Sequence, residues 1–239
     1  MRYFLIALAT VVLFSSCRLF GGKRVSGNGK IVTQEQNVNS FHSIEVSGAA
    51  TVRLKQDSIP SVRIETDENL FEYLDVHVDG NTLVIEPKKG VNLHPSKEII
   101  VYATAAQFRN IDASGACNII SDNLLSSNQE LKIEASGSTN INIQVTLPKL
   151  TTDVSGSGEV TLKGMAKEFS GSISGSGAIK GFDLITDKTE LDLSGAADAQ
   201  ITANEKLDIE VSGSGDVEYK GNANVNQRIS GSGSVKKVN

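Results

Sequence analysis

The chain of 239 residues contains no tryptophan, only 5 % aromatic residues, three histidines and two cysteines. Without tryptophan, platforms on which sugars could stack are scarce. His42, His77 and His94 have no ligand-like spacing, so they do not read as a metal site. An excess of basic charge is also missing. The 23 Lys and Arg stand against 28 Asp and Glu, a net charge of −5, which argues against nucleic acid as a partner. The long apolar run, residues 3–14, is too short to cross a bilayer as a helix. No apolar period of 3.6 residues accompanies the repeats described below, which removes the helical solenoids.

What the chain has at its start is Arg2, that apolar run and "SSC", the three parts of a secretory leader. "LFSSC", residues 13–17, resembles a bacterial lipobox, which implies a leader over 1–16 and acylation of Cys17. More than one acyl chain gives stable anchoring, so the expected membrane partner is reached through lipid on Cys17. A soluble secreted protein cut nearby is the alternative. Loss of Arg2 with the leader brings the net charge to about −6. Cys117 is then the remaining cysteine, and no intramolecular disulfide is possible. Residues 17–30 read as a lipidated, flexible tether through "RLFGGKRVSGNGK".

The chain is rich in one element, a Ser-Gly pair. It occurs as Ser47-Gly48, Ser114-Gly115, Ser136-Gly137, Ser155-Gly156, Ser174-Gly175, Ser194-Gly195, Ser212-Gly213 and Ser230-Gly231. The serines are spaced by 67, 22, 19, 19, 20, 18 and 18 residues, a period near nineteen that signals a solenoid. The residue before each Ser and the fifth after it are apolar throughout, from Val46 and Val52 to Ile229 and Val235. Further apolar residues follow at steps of two, which is strand periodicity. Glycine supplies the backbone angles of a sharp corner, and serine can bond its local backbone. The third residue after Ser is always small, among them Ala50, Cys117, Thr139 and Gly158, as crowding between stacked rungs requires. Cys117 in that slot reads as a buried, inert thiol.

These features predict an all-β, right-handed parallel β-helix. Six steps from Ser114 to Ser230 at ~4.8 Å each give roughly 29 Å of stack. Regular rungs are expected over 114–239. Residues 31–113 read as an elaborated N-terminal section or cap, in which "LDVHVDGNTLVIEP" forms a hairpin at Asp79-Gly80 and "DENLFEYL" a helical turn. Lys236 and Lys237 sit on the last rung's edge, where they oppose end-to-end pairing.

The second residue before each Ser is acidic in six of eight copies: Glu45, Asp112, Glu134, Asp153, Asp192 and Glu210, with Ser172 and Arg228 as the exceptions. Stacking aligns them in a column, where like charges ~4.8 Å apart cost about 1 kcal/mol per pair in water. Such a column, with Asp112, Glu134, Asp153, Asp192 and Glu210 as weak metal candidates, is either a face for a divalent cation or basic partner, or a solvated strand face. The nonapeptide calcium pattern does not fit, because the period is twice too long and the Asp216 position is not acidic in most copies. Pairs such as Asp192 and Glu210 suit acid–base work on a glycan in principle, but a ladder supplies such pairs by accident. No histidine accompanies any corner serine in sequence, so a serine nucleophile finds no base.

"LKIEASGSTNI", "LDIEVSGSGDVEYKG", "ISGSGAIKG" and "IETDENLFEYLDVHVDGNTLVIEP" together resemble the bacterial family called putative auto-transporter adhesin, head GIN domain. The resemblance implies a right-handed parallel β-helix on an exported protein of the Bacteroidetes type, and it implies little about activity. The expectation is a non-catalytic, outer-membrane-anchored lipoprotein of the cell envelope, an adhesin-like scaffold contacting protein or polysaccharide, without cofactor. Its rivals are a glycan-active β-helix enzyme and a periplasmic envelope-stress or assembly partner. "RLFGGKR" after Cys17 is basic, unlike the acidic runs that resemble surface-export signals, so both faces of the membrane stay open.

Overall fold

A computed structural model describes residues 22–239. The leader, the lipobox and Cys17 lie outside the described residues. Nearly everything described is strand, wound into a β-solenoid of about seven turns. No described helix is long and apolar enough to cross a membrane.

The N-terminal section contains β1 (Lys23–Ser26), β2 (Ile31–Gln36), β3 (Ser43–Gly48), β4 (Thr51–Gln56), β5 (Ser61–Asp67), a 3₁₀ helix (Glu68–Tyr73), β6 (Leu74–Asp79), β7 (Thr82–Pro87), β8 (Val91–His94) and β9 (Ile100–Ala105). The expected hairpin is β6–β7. Asp79 pairs with Thr82, so its two-residue tip is Gly80-Asn81, one residue later than read from the sequence. Gly80 has φ 58°, a left-handed first loop residue of the kind that keeps hairpin strands together. The expected helical turn is the 3₁₀ helix. Residues 23–26, expected within a flexible tether, instead form β1, which pairs in parallel with β8 and buries Val25.

The rungs follow as β10 (Asn110–Gly115), β11 (Asn118–Ser121), β12 (Leu125–Ser126), β13 (Leu131–Gly137), β14 (Asn140–Gly156), β15 (Glu159–Gly175), β16 (Ala178–Gly195), β17 (Asp198–Gly213), β18 (Asp216–Lys220), β19 (Asn224–Gly231) and β20 (Ser234–Lys237). Each of β14 to β17 runs from one Ser-Gly corner to the next, so the corner is the break common to these turns, with a second left-handed glycine, Gly164 (φ 103°), inside β15. Stacking is parallel and in register, Ser on Ser and Gly on Gly. The stack starts earlier than residue 114. Ser47 lies in register with Ser114, and β3 and β4 stack on β10 and β11. The 67-residue gap arises because residues 57–105 form a layer on the other side of that first rung, with β7 against β3 and β9 against β4. Antiparallel β5 and β2 then extend that layer beyond β9.

The corner glycines have φ between 88° and 138°. From Gly115 onward, a Cβ on each would stand 2.1–2.7 Å from the carbonyl oxygen of the corner glycine one rung earlier. That carbonyl accepts a bond from the residue after the next glycine, as in Ala116 N–H to Gly48 O at 2.8 Å and Ala196 N–H to Gly175 O at 2.9 Å. Any side chain here would break the stack as well as strain the backbone.

Inside, the residues before each Ser form one continuous buried column. Burial of such columns is the main stabilising term of the fold. Val211 is 1 % exposed and Ile229, on the last rung, 39 %, because no further rung covers it among the described residues. The slot three after Ser is buried from Ala50 to Gly215. Cys117 occupies it with no exposed surface, and burial pushes its thiol pKa up.

Candidate functional site

The residues expected to form an acidic column do align. Glu45, Asp112, Glu134, Asp153, Ser172, Asp192, Glu210 and Arg228 are register partners on successive rungs of the face that precedes the corner. Lys132, beside the column, bonds Glu134 and lies 3.8 Å from Asp153, and Arg228 lies 3.8 Å from Glu210. Partial burial and then repulsion from Glu134 raise the Asp112 pKa above the ordinary value. The carboxylates are spread one per rung along an axis. Among the described residues no three His, Cys, Asp or Glu side chains converge to hold a metal ion.

The corner serines form a second column, exposed from Ser136 onward. The backbone bonding open to serine is hardly used: the Ser114 hydroxyl reaches Val46 O at 3.5 Å, across rungs. Among the described residues no histidine hydrogen-bonds a corner serine. His42 Nδ1 lies 3.0 Å from Ser43 Oγ, and His77 Nδ1 3.0 Å from Asp75. Asp192 and Glu210 are neighbours on an exposed face rather than in a cleft.

A small cavity of about 210 Å³ lies before the corner between Lys188, Glu190, Lys206 and Asp208. Most of the concave surface is on the other side of the corner, where sequence reasoning weighed only the calcium pattern at the Asp216 position. Three cavities lie on that face. One of about 430 Å³, at the capped end, is lined by Glu35, Arg53, Lys55, Arg63, Tyr102 and Asp122 among others. A second, about 410 Å³, shares Arg53 and Tyr102 with it and adds Glu98, Asn118, Asn140 and Asn142. It reaches Glu159 and Thr161, whose register partners Ala178 and Lys180 begin a third of about 420 Å³ that runs to Lys236. Together they make a shallow groove of mixed polar and apolar lining along the stack. Ladders of side chains brace its wall: Asn140 Nδ2 donates to Asn118 Oδ1 at 3.2 Å, Lys180 pairs with Glu159 at 2.7 Å, and Gln200 donates to Glu218 at 3.0 Å. Alternation hinted at which side chains point out, but the row Arg53–Tyr102–Arg63 joins strands of the aperiodic section, and no repeat reveals its register.

A further cavity, about 340 Å³ and mostly apolar, lies at the base of the corner column between Ala50, Leu74, Ile85, Pro87, Leu93 and Ile99.

The family described as putative auto-transporter adhesin, head GIN domain, matches residues 40–223. No curated protein matches the chain. Among solved structures, a putative adhesin from Bacteroides fragilis NCTC 9343 is 25 % identical with a TM-score of 0.84, covering 90 % of this chain and 100 % of its own. A putative adhesin from Parabacteroides merdae ATCC 43184 is 27 % identical with a TM-score of 0.69, covering 91 % and 100 %. A putative lipid binding protein from Parabacteroides distasonis ATCC 8503 is 28 % identical with a TM-score of 0.75, also covering 91 % and 100 %.

Proposed function

Because the chain belongs to the putative auto-transporter adhesin, head GIN domain family, we propose that it is a non-catalytic, adhesin-like scaffold of the cell envelope. The observation that carries this reading is the groove along the stack, which offers an extended surface to protein or polysaccharide and, among the described residues, is lined by neither histidine nor cysteine. Repetition favours such a surface, since each rung adds a similar strip of side chains. In this reading the winding is right-handed, residues 1–16 are a leader, and acylated Cys17 holds the protein in the outer membrane.

Protease treatment of intact cells, followed by immunodetection, tests the location. Cleavage on whole cells is the expected outcome. Protection until the outer membrane is opened would overturn adhesion to external partners and turn the search to the periplasm. Cys17→Ser should release the protein from membranes. Incubation with a panel of polysaccharides should yield neither new reducing ends nor unsaturated products; either would overturn the non-catalytic reading in favour of a glycan-active enzyme.

A second reading, contact with lipid, is supported by the apolar cavity beside Leu93 and by the 28 % identity to a putative lipid binding protein. It predicts that leaderless Cys17→Ser protein co-sediments with phospholipid vesicles and that Leu93→Asp abolishes this.

A further inference from the structure

At the capped end three strands set matching side chains side by side. Arg53 of β4 is the register partner of Tyr102 of β9, which is in turn the partner of Arg63 of β5. Two residues along, Lys55, Thr104 and Ser61 form a parallel row. Register partners and residues two apart point to the same side of a sheet. The floor of the 430 Å³ cavity is therefore a phenol ring between two guanidinium groups, with an ammonium group and two hydroxyls alongside.

The cations differ in how they are already engaged. Arg53 is held by Asp122 (Nη2 to Oδ1, 2.5 Å), and Lys55 by Asp57 at 3.1 Å. Arg63 lies over the Tyr102 ring, Cζ 3.9 Å from its centroid. Glu35, its register partner on β2, lines the same cavity, and among the described residues neither it nor another carboxylate forms an ion pair with Arg63. A stacked guanidinium keeps its in-plane N–H donors for another acceptor, and their fork matches a carboxylate. In a chain of net charge −5, an exposed arginine oriented by an aromatic face and not ion-paired even with the Glu35 beside it keeps donors for an anion. The adjoining cavity continues with Asn118, already bonded to Thr51, Glu98 and Asn140, and with Asn140 and Asn142 beside Glu98 and Glu159. The Asn140 carbonyl oxygen and the Asn142 amide accept and donate, as a ligand rich in hydroxyls requires. A cavity of this size accommodates a small ligand.

We infer that this cavity binds the carboxylate-bearing sugar of an acidic oligosaccharide, with Arg63 anchoring the carboxylate beside Tyr102 and the rest of the chain lying along the groove. The inference rests on the polysaccharide half of the proposed function and names its ligand class.

The test is calorimetric titration of the intact protein with tetragalacturonate, its methyl ester, 3′-sialyllactose, a neutral oligosaccharide panel and hexaglutamate. At least one acidic sugar should bind, and more weakly as salt rises. Its neutral ester should bind about tenfold more weakly or worse, and Arg63→Gln should lose a similar factor while its melting temperature stays unchanged. Lys167→Gln, which removes one exposed cation elsewhere, should bind as the parent does. Equal binding of acid and ester, undiminished binding by folded Arg63→Gln, or hexaglutamate binding as tightly as the sugars would each overturn the inference. Binding of neutral sugars alone would remove the acidic ligand and leave the polysaccharide reading standing. Absence of any glycan binding would remove both.

Discussion

Single side chains separate what the repeat tolerates from what it uses. Asp112 is partly buried and faces Glu134, so folding favours its protonated form. A carboxyl with a raised folded pKa costs stability when ionised and stops costing it as pH falls through that pKa. Asp112→Asn should therefore stabilise at pH 7, by roughly 0.5 kcal/mol, and thermal melts near pH 3 should find the gain gone. Thr152 stacks between Ile133 and Gly171 in an inward column, with its buried hydroxyl unpaired. Thr152→Val should raise stability by about 1 kcal/mol, seen as a melting temperature about 2–4 °C higher. At this scale much was legible, since the period alone aligned the carboxylates and the small slot that holds Cys117. The pairing of Arg63 with Tyr102 was not, because an arginine and a tyrosine 39 residues apart in an aperiodic section carry no common signature.

Among the elements, the corner and the capped layer obey different rules. Gly195 has φ 106°, and a Cβ there would lie 2.3 Å from Gly175 O. Gly195→Ala should cost about 2 kcal/mol or more, whereas Ser194→Ala, at the exposed neighbouring position, should stay within about 0.5 kcal/mol. Urea midpoints of the two variants settle whether the corner depends on its glycine alone. The capped layer is tied by Asp67 at the end of β5. Burial would raise the pKa of this carboxyl, but bonds from Ser96 Oγ (2.6 Å), Ser96 N–H (2.8 Å) and Gly29 N–H (2.7 Å) outweigh burial and hold it below the ordinary value. A depressed folded pKa means stability present at neutral pH and lost as pH falls below the unfolded value of about 3.9. Asp67→Asn should accordingly cost about 2 kcal/mol at pH 7, with the deficit narrowing in melts below pH 3. The sequence announced the strands, the hairpin and the helical turn of this layer. It did not announce that the layer packs under the Ser47 rung, because β7 and β9 reach β3 and β4 through long-range pairings that periodicity does not encode.

For the molecule as a whole, stability is distributed as nearest-neighbour contacts along the stack. At the capped end the core is covered, with Val62 and Leu83 buried, whereas β19 and β20 each have a strand partner on one side only and Ile229 is left partly exposed. Hydrogen exchange should release the amides of β20 and β19 first and those of β14 to β16 last. Equal protection along the stack would contradict nearest-neighbour stability. The seven corner bonds give the rod one more property. In every one the later rung donates and the earlier carbonyl accepts, from Ala116 to Gly48 through Ser232 to Gly213. Their peptide dipoles therefore add instead of cancelling, as they do along a helix. The corner edge is electrically polar, amide-positive toward the capped layer and carbonyl-negative toward Gly231, and the alignment gives the stack a built-in compass along its axis.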